Sequence, residues 1–298
     1  MAEITAKMVA ELRAKTGAGM LDCKKALQEN EGDFDKAADF LREKGLASAA
    51  KKATRVAAEG RVYALVAGTE GTLVEVNCET DFVGKGDDFK GICNSVAEAI
   101  LAKKPADIEA LKAEVAPMIT EAVARIGENI TVRRFVRYAQ PTGLVHSYIH
   151  GDGRMGALVN IETTAGATDA IKGLAQDLCL QLASMKAKYL DRSEVPAEVV
   201  EHEKEILKAQ AINEGKKPEI AEKMVAGRVE KFYKDVCLLD QEFVKDQDLT
   251  IAGLVKKVAK EIGADVKVAA FTLWERGEGI EKKSDDFAAE VAKAAGLQ

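Results

Sequence analysis

The sequence predicts an α+β fold made of a small helical domain, a duplicated core and an inserted helical hairpin. Three observations lead to this prediction. The first 45 residues have helical periodicity only, a pattern of strand, strand, helices and strand occurs twice, and a helical stretch interrupts the second copy. A chain of 298 residues is long enough for two or three modules, each with a core of its own.

The amino-terminal domain, residues 1–54, is predicted to consist of three short helices and a tether. Apolar residues at helical spacing stop at the turn Gly17–Gly19, where glycines permit a change of direction. Asp22 is expected to cap the second helix and Asp33 the third, which is expected to end at Gly45. The Ala- and Lys-rich stretch that follows has little to bury, so it is predicted to be a helical or flexible tether.

Residues 55–140 and residues 141–275 are predicted to be two related α+β units. A hairpin pattern that starts at Gly60 recurs from Gly143, and in each copy a similar strand follows the helices. There are only two copies and their period is long, so a duplicated unit is a better explanation than a solenoid.

The second unit carries an insertion at residues 195–232 that is predicted to form two antiparallel helices. Gly215 is expected to end the first helix and Pro218 to begin the second. Because apolar positions are sparse, the sequence leaves open whether this hairpin serves self-association, contact with a partner or neither. Residues 276–298 are predicted to form a C-terminal module with a short helix from about Asp285.

Composition and charge narrow the classes of partner. The net charge of −6 argues against a phosphate backbone as the main partner. Arg133, Arg134 and Arg137 lie in a predicted strand, where alternation would place successive side chains on opposite faces of a solvated strand. No apolar run approaches the roughly 20 residues of a membrane-spanning helix, and the first residues resemble neither a signal nor a transit peptide. We therefore expect a cytoplasmic protein without direct contact to nucleic acid or membrane.

The sequence predicts no catalytic, metal or cofactor site. Five cysteines lie far apart without a Cys-x-x-Cys pair, so reduced structural thiols are expected. Gly151–Gly156 has the spacing of a dinucleotide fingerprint, but a strand follows it, so a hairpin turn is expected. The three histidines match no zinc pattern, and no nucleophile elbow occurs. We expect a protein that is not an enzyme.

Two stretches resemble the signatures of one protein family. Leu12–Leu27 is similar to the amino-terminal signature of the elongation factor Ts family, and Glu75–Gly84 is similar to its second signature. The turn His150–Gly156 and the tail Gly277–Lys282 also resemble family segments. The resemblance covers essentially the whole chain.

The resemblance implies both an architecture and an activity. Such factors have an amino-terminal domain like a ubiquitin-associated domain, a duplicated core, a coiled-coil hairpin and a C-terminal module. They are guanine-nucleotide exchange factors for elongation factor Tu. The chain is therefore expected to bind that GTPase with GDP and to promote GDP release during translation elongation, without making or breaking a bond.

The resemblance also implies which residues meet the GTPase. The element expected to enter near its Mg²⁺ and phosphate site is formed by Thr80, Asp81, Phe82 and Val83. The other expected contacts are Leu12, Met20, Leu21 and His150. Core packing and an interface remain equally open for Leu12, which shares a helix with other apolar residues. Taken without the resemblance, Phe82 would be assigned to a core, because most aromatic residues are structural.

Two other functions stay open from the sequence. The chain would be a binding adaptor if the three-helix domain recognised a ubiquitin-like or nascent-chain partner and the core served as its scaffold. It would be an enzyme if the glycine turn bound a nucleotide. GDP release distinguishes an exchange factor from the adaptor, and nucleotide binding by the isolated chain tests the enzyme.

Overall fold

The computed structural model describes residues 4–281 and confirms an α+β fold. The first three helices are α1 Ala6–Thr16, α2 Met20–Glu29 and α3 Phe34–Lys52. The next elements are β1 Glu59–Ala67, β2 Glu70–Cys78, α4 Asp81–Lys85, α5 Asp87–Lys103, α6 Ile108–Ile126 and β3 Thr131–Ala139. They are followed by β4 Gly143–His150, β5 Met155–Thr163, α7 Asp169–Met185, α8 Ala197–Asn213, α9 Pro218–Val236, β6 Glu242–Phe243, β7 Asp246–Thr250, α10 Ile251–Ile262 and β8 Val266–Glu275.

The first three helices enclose a small core of their own. Its buried side chains are Val9, Leu12, Cys23, Ala26, Leu27 and Ala37. Asp33 caps α3 as predicted, since its carboxylate accepts hydrogen bonds from the backbone N–H groups of Asp35 and Lys36 at 3.0 Å. The prediction that Asp22 caps α2 is wrong. The capping residue is Gly19, and Asp22 lies inside the first turn.

Helix α3 does not end at Gly45, as the sequence predicted, but continues to Lys52. Gly45 is buried and faces Ala124 of α6, where an added Cβ would already be in contact at 3.5 Å. The glycine therefore lies at a helix–helix contact, where no side chain holds the two helices apart. The Ala- and Lys-rich stretch is the last part of α3 up to Lys52, which is the helical one of the two alternatives.

Two antiparallel three-stranded sheets form the centre of the molecule. Their strand orders are β1-β2-β3 and β4-β5-β8, so each hairpin pairs through its second strand with the last strand of its unit. The last strand of each unit has a β-bulge at the same place, with Arg133 as the extra residue of β3 and Ala269 as the extra residue of β8. This shared topology supports the duplication, which stays a prediction until the two units are superposed.

The two sheets pack face to face, and helices cover their outer faces. Between the sheets lie Val62, Leu73, Val145 and Leu158. Helices α5 and α6 cover the first sheet, while α7 and α10 cover the second. A Cβ at Gly71 would lie 2.6 Å from Cγ1 of Val145, and one at Gly156 would lie 2.6 Å from Cγ1 of Val62. Glycine at these two positions allows the sheets to approach closely.

The basic cluster of β3 is not a solvated strand, contrary to the sequence prediction. Glu75 is fully buried and accepts hydrogen bonds from Arg133 at 3.1 Å and Arg134 at 2.6 Å. The bulge makes Arg133 the extra residue of its strand, so two consecutive side chains reach one carboxylate instead of opposite faces. Arg137 pairs with Glu70 at 3.0 Å. Acidic neighbours therefore balance the charge of this cluster.

Glu75 also holds the segment that follows β8. Its Oε1 accepts hydrogen bonds from the backbone N–H of Gly277 at 2.7 Å and from the side chain of Asn77 at 3.1 Å. Burial alone would raise the pKa of the Glu75 carboxyl, but these hydrogen bonds and the charge of Arg134 hold it below its ordinary value. The ionised carboxylate thus joins β2, β3 and residues 276–278.

All five cysteines are free and buried, as predicted for structural thiols. Burial raises the pKa of Cys78, Cys93 and Cys179 to about 12, so these three remain protonated at neutral pH. Among the described residues, no helix has the length and apolar character needed to cross a membrane.

Helices α8 and α9 form the predicted antiparallel hairpin, although α9 extends to Val236. The segment that precedes the hairpin lies beside the end of α9, because the backbone N–H groups of Lys188 and Tyr189 donate to the carbonyl of Val236 at 2.9 and 3.1 Å. It has a small cluster of its own, consisting of Val195, Val200, Val229 and Cys237. The helix predicted from about Asp285 lies outside the described residues.

We predict that the core folds without the hairpin. Replacing residues 195–232 by a short glycine linker should leave one cooperative thermal transition, because the hairpin's cluster is separate from those beneath the two sheets. Calorimetry measures this directly. Leu178→Ala is a suitable comparison, since it opens a cavity beneath the second sheet and should lower the melting temperature. A broad transition in the hairpin deletion would show that the insertion is an integral part of the core.

Candidate functional site

Phe82 stands out because a large aromatic side chain is 86% exposed. It lies next to Asp81 at the start of α4, directly after β2. The neighbouring Val83 is half-buried and packs against the core beneath α5 and α6. Burial of a Phe side chain normally stabilises a fold by about 2 kcal/mol. Phe82 does not contribute this stabilisation, because it is exposed, so its exposure needs an explanation other than folding.

Thr80 and Glu128 fix the start of α4. The Thr80 side chain accepts a hydrogen bond from the backbone N–H of Val83 at 3.3 Å, which is a helix cap, and its hydroxyl donates to Glu128 at 2.6 Å. The Glu128 carboxylate also accepts from the backbone N–H groups of Glu79 and Thr80, at 3.0 and 3.1 Å. One side chain from the turn after α6 therefore holds the loop between β2 and α4 by three hydrogen bonds.

The other end of α4 lies against β1. Gly84 is buried, and a Cβ there would lie 3.1 Å from the Cα, N and O atoms of Gly60. A side chain at Gly84 would therefore push the helix away from the sheet. Asp81 pairs with Lys85 at 2.6 Å, and the hydrogen bond and charge of Lys85 lower the pKa of the Asp81 carboxyl. Asp81 is exposed, so α4 presents an ionised carboxylate, paired with Lys85, at the residue before Phe82.

Of the three expected contacts in the amino-terminal helices, two are exposed and one is buried. Met20 and Leu21, in the first turn of α2, are 59% and 83% exposed. Leu12 is fully buried, which is the core alternative of the two that the sequence left open. Helix α1 turns Val9 and Leu12 toward α2 and α3, where Leu12 packs among the other apolar side chains of the three-helix core.

His150 is exposed at the end of β4, beside the predicted glycine turn. Its Nδ1 lies 3.0 Å from the hydroxyl of Tyr148. The turn reaches the first sheet, because the backbone N–H of Val62 donates to the carbonyl of Gly153 at 2.8 Å. The glycines with the spacing of a dinucleotide fingerprint therefore lie in a turn that contacts the other sheet. A strand follows this turn, as predicted, and not the helix that a dinucleotide site requires.

The structure brings some predicted residues together and separates others. The α4 residues and the turn beside His150 both contact β1, whereas Met20 and Leu21 belong to the three-helix unit. A cavity of about 510 Å³ lies between the Gly17–Gly19 turn, α3 and α6, but its lining includes no α4 residue. Within residues 4–281, no group of His, Cys, Asp and Glu side chains is arranged to hold a metal ion.

Sequence reasoning missed Glu128 and Arg61, the two charged side chains that hold α4 at its two ends. The signal was a difference between the two copies of the repeat. Where the first copy has Glu128, the second has Ala264, and where the first has Arg61, the second has Leu144. At these two positions, only the copy that carries α4 has a charged residue.

Comparisons with known proteins show the family to which the chain belongs. The family model described as elongation factor TS matches residues 79–278, which include Thr80–Val83 and Glu128. An elongation factor Ts of Symbiobacterium thermophilum is 60% identical over 304 residues and covers 100% of both chains. Those of Syntrophotalea carbinolica and Clostridium perfringens are 50% and 49% identical, and the matches cover 97% and 98% of this chain and 98% and 99% of theirs. Likeness of this extent shows that the chain belongs to the elongation factor Ts family.

Proposed function

We propose that this chain binds elongation factor Tu carrying GDP and promotes GDP release during translation elongation, in the cytoplasm. Membership of the elongation factor Ts family supports the activity. The observation that carries the mechanism is the 86% exposed Phe82 on a firmly held helix. No bond is made or broken in this process, so the chain acts as a binding partner and not as an enzyme.

In this proposal, Asp81 and Phe82 enter the GTPase near its Mg²⁺ and phosphate site, with Thr80 and Val83 on either side. Phe82 offers a large apolar surface that loses water on contact, which is typical of residues that dominate binding energy. Mg²⁺ demands near-octahedral geometry and offsets phosphate charge, so a small displacement of its surroundings weakens the hold on GDP. The charged Asp81 carboxylate adds repulsion toward the phosphates.

A residue that displaces part of a partner must itself resist displacement. The three hydrogen bonds to Glu128 fix one end of α4, and the contact between Gly84 and Gly60 fixes the other. Preorganisation of this kind reduces the cost of ordering an element on binding. A preorganised α4 is suited to displacing part of the GTPase and not to changing its own conformation on binding.

Separate contacts are proposed for Met20, Leu21 and His150. Their exposure and their distance from α4 along the chain suit them to bind other parts of the GTPase and to add affinity. Met20 has a flexible thioether that adapts readily to a partner surface. The unit formed by residues 1–54 is proposed to be a domain like a ubiquitin-associated domain, and the hairpin is left without an assigned role.

Phe82→Ala is expected to slow GDP release roughly tenfold or more while leaving the melting temperature nearly unchanged, because an exposed hot-spot residue contributes to binding and not to folding. The measurement is stopped-flow release of fluorescent GDP from elongation factor Tu. Val244→Ala, which also removes an exposed apolar side chain, should release GDP like the parent chain. Release by Phe82→Ala at the parent rate would remove Phe82 from the mechanism.

Glu128→Gln should also slow GDP release, with Phe82 still in place. The amide can accept from the Thr80 hydroxyl, but its NH₂ group would face the backbone N–H groups of Glu79 and Thr80 and repel them. The same fluorescence assay measures the effect, and Glu109→Gln, an exposed carboxylate paired with Lys112, is the matched control. Equal rates for both variants would show that the Glu128 anchor does not matter for exchange.

A further inference from the structure

Arg61 joins α4 to the turn beside His150. It lies on β1 and is only 6% exposed. Its Nη1 donates to the carbonyl oxygen of Gly84 at 3.0 Å, and its Nη2 pairs with the carboxylate of Asp152. Gly84 belongs to α4, and Asp152 follows His150 by two residues. One guanidinium thus connects a helix of the first unit to a turn of the second unit.

The turn fits closely around Arg61. A Cβ at Gly153 would lie 2.9 Å from Nε of Arg61, and the left-handed backbone of Gly153, with φ +87°, suits glycine. Among the described residues, Nε of Arg61 has no hydrogen-bond partner. The guanidinium is therefore held through its Nη1 and Nη2 atoms by Gly84 and Asp152.

The fold of the unit itself does not require a charge at this position. The second copy of the repeat has Leu144 where the first has Arg61, and Leu144 is buried in a strand of the same topology. A buried arginine costs desolvation energy that an apolar residue avoids. Its planar fork can, however, hold two acceptors at once in a fixed arrangement. The charge is thus better explained by what it holds than by the stability of the sheet.

We propose that Arg61 is a positioning residue for GDP release, which fixes α4 relative to the His150 turn so that Phe82 and His150 meet the GTPase as one rigid pair. This inference rests on the proposed function. Because Arg61 acts through α4 and the turn, it makes no contact with the GTPase. Its effect should depend on the presence of Phe82.

The first test is release of fluorescent GDP from elongation factor Tu at increasing concentrations of the chain. Arg61→Met removes both links and should lower the maximal rate about tenfold, the loss expected for a charge-assisted hydrogen bond. The half-saturating concentration should change less than about twofold, because the contact residues remain. Arg61→Lys keeps the charge and reaches one acceptor only, so it should give an intermediate rate.

Two controls separate positioning from general loss of structure. In the Phe82→Ala background, Arg61→Met should cause no further loss, since the two residues act as a unit. Arg137→Met removes an arginine paired with Glu70 at the far end of the same sheet and should leave the maximal rate unchanged. If Arg61→Met does not fold, Asp152→Asn weakens one link at an exposed side chain and should still lower the maximal rate.

Amide hydrogen exchange in the free chain supplies a measurement that does not involve the GTPase. Arg61→Met should speed exchange at residues 81–86, and Arg137→Met should not. If the parent chain releases no GDP, the proposed function fails, and if Phe82→Ala leaves GDP release unchanged, Phe82 is removed from the mechanism. In both cases the hydrogen-exchange data still decide whether Arg61 holds α4. Two results would overturn the proposal. One is unchanged amide hydrogen exchange at residues 81–86 in Arg61→Met. The other is that Arg61→Met lowers the rate of GDP release by the same factor whether Phe82 is present or replaced by Ala.

Discussion

The close approach of the two sheets is the constraint on which the rest of the molecule depends. Gly71 and Gly156 leave room for the side chains of the opposite sheet, so Val62 and Leu73 pack directly against Val145 and Leu158. Because the sheets lie this close, a turn of the second sheet reaches β1 of the first. The same strand supports α4 on its other side. Helix α4 and the turn beside His150, the two core elements proposed to meet the GTPase, therefore rest on one strand, and their relative position follows from sheet packing.

At one edge of the layer between the sheets, charged side chains replace apolar ones. Glu75 points into the interface from β2 and would be costly to bury alone, but two arginines, an amide and a backbone N–H satisfy its carboxylate. Its partners come from β2, β3 and the segment after β8, so the ionised group joins parts of the chain about two hundred residues apart in sequence. The bulge in β3 makes this possible, since it directs Arg133 and Arg134 to the same side.

Periodicity and glycine positions predicted the order of elements well, because apolar spacing records which face of a helix or strand is buried. They failed where a residue has a tertiary reason. Gly45 was predicted to end a helix but lies at a contact with α6. At Arg133 a bulge, which no local sequence pattern predicts, interrupts the alternation of side chains between the two faces of the strand. Leu12 could not be placed from the sequence, because a helix shows its apolar face without showing what covers it.

The candidate site could be located by resemblance but not by physical reasoning on the sequence. Without the family signature, Phe82 would have been assigned to a core, and its exposure is known only from the structure. Glu128 and Arg61 escaped notice because charged residues near turns are usually solvated. Only the comparison of the two copies distinguishes them, because the copy without α4 has Ala264 and Leu144 at the equivalent positions.

An exchange factor requires that the chain and GDP weaken each other's binding to elongation factor Tu. Thermodynamic linkage makes this coupling reciprocal, with a typical size of about 1 to 3 kcal/mol. The most direct measurement is calorimetric titration of the chain into nucleotide-free elongation factor Tu and into the same protein saturated with GDP. We expect the chain to bind the GDP form more weakly, by the same factor by which the chain weakens GDP binding. Equal affinity for the two forms would contradict it.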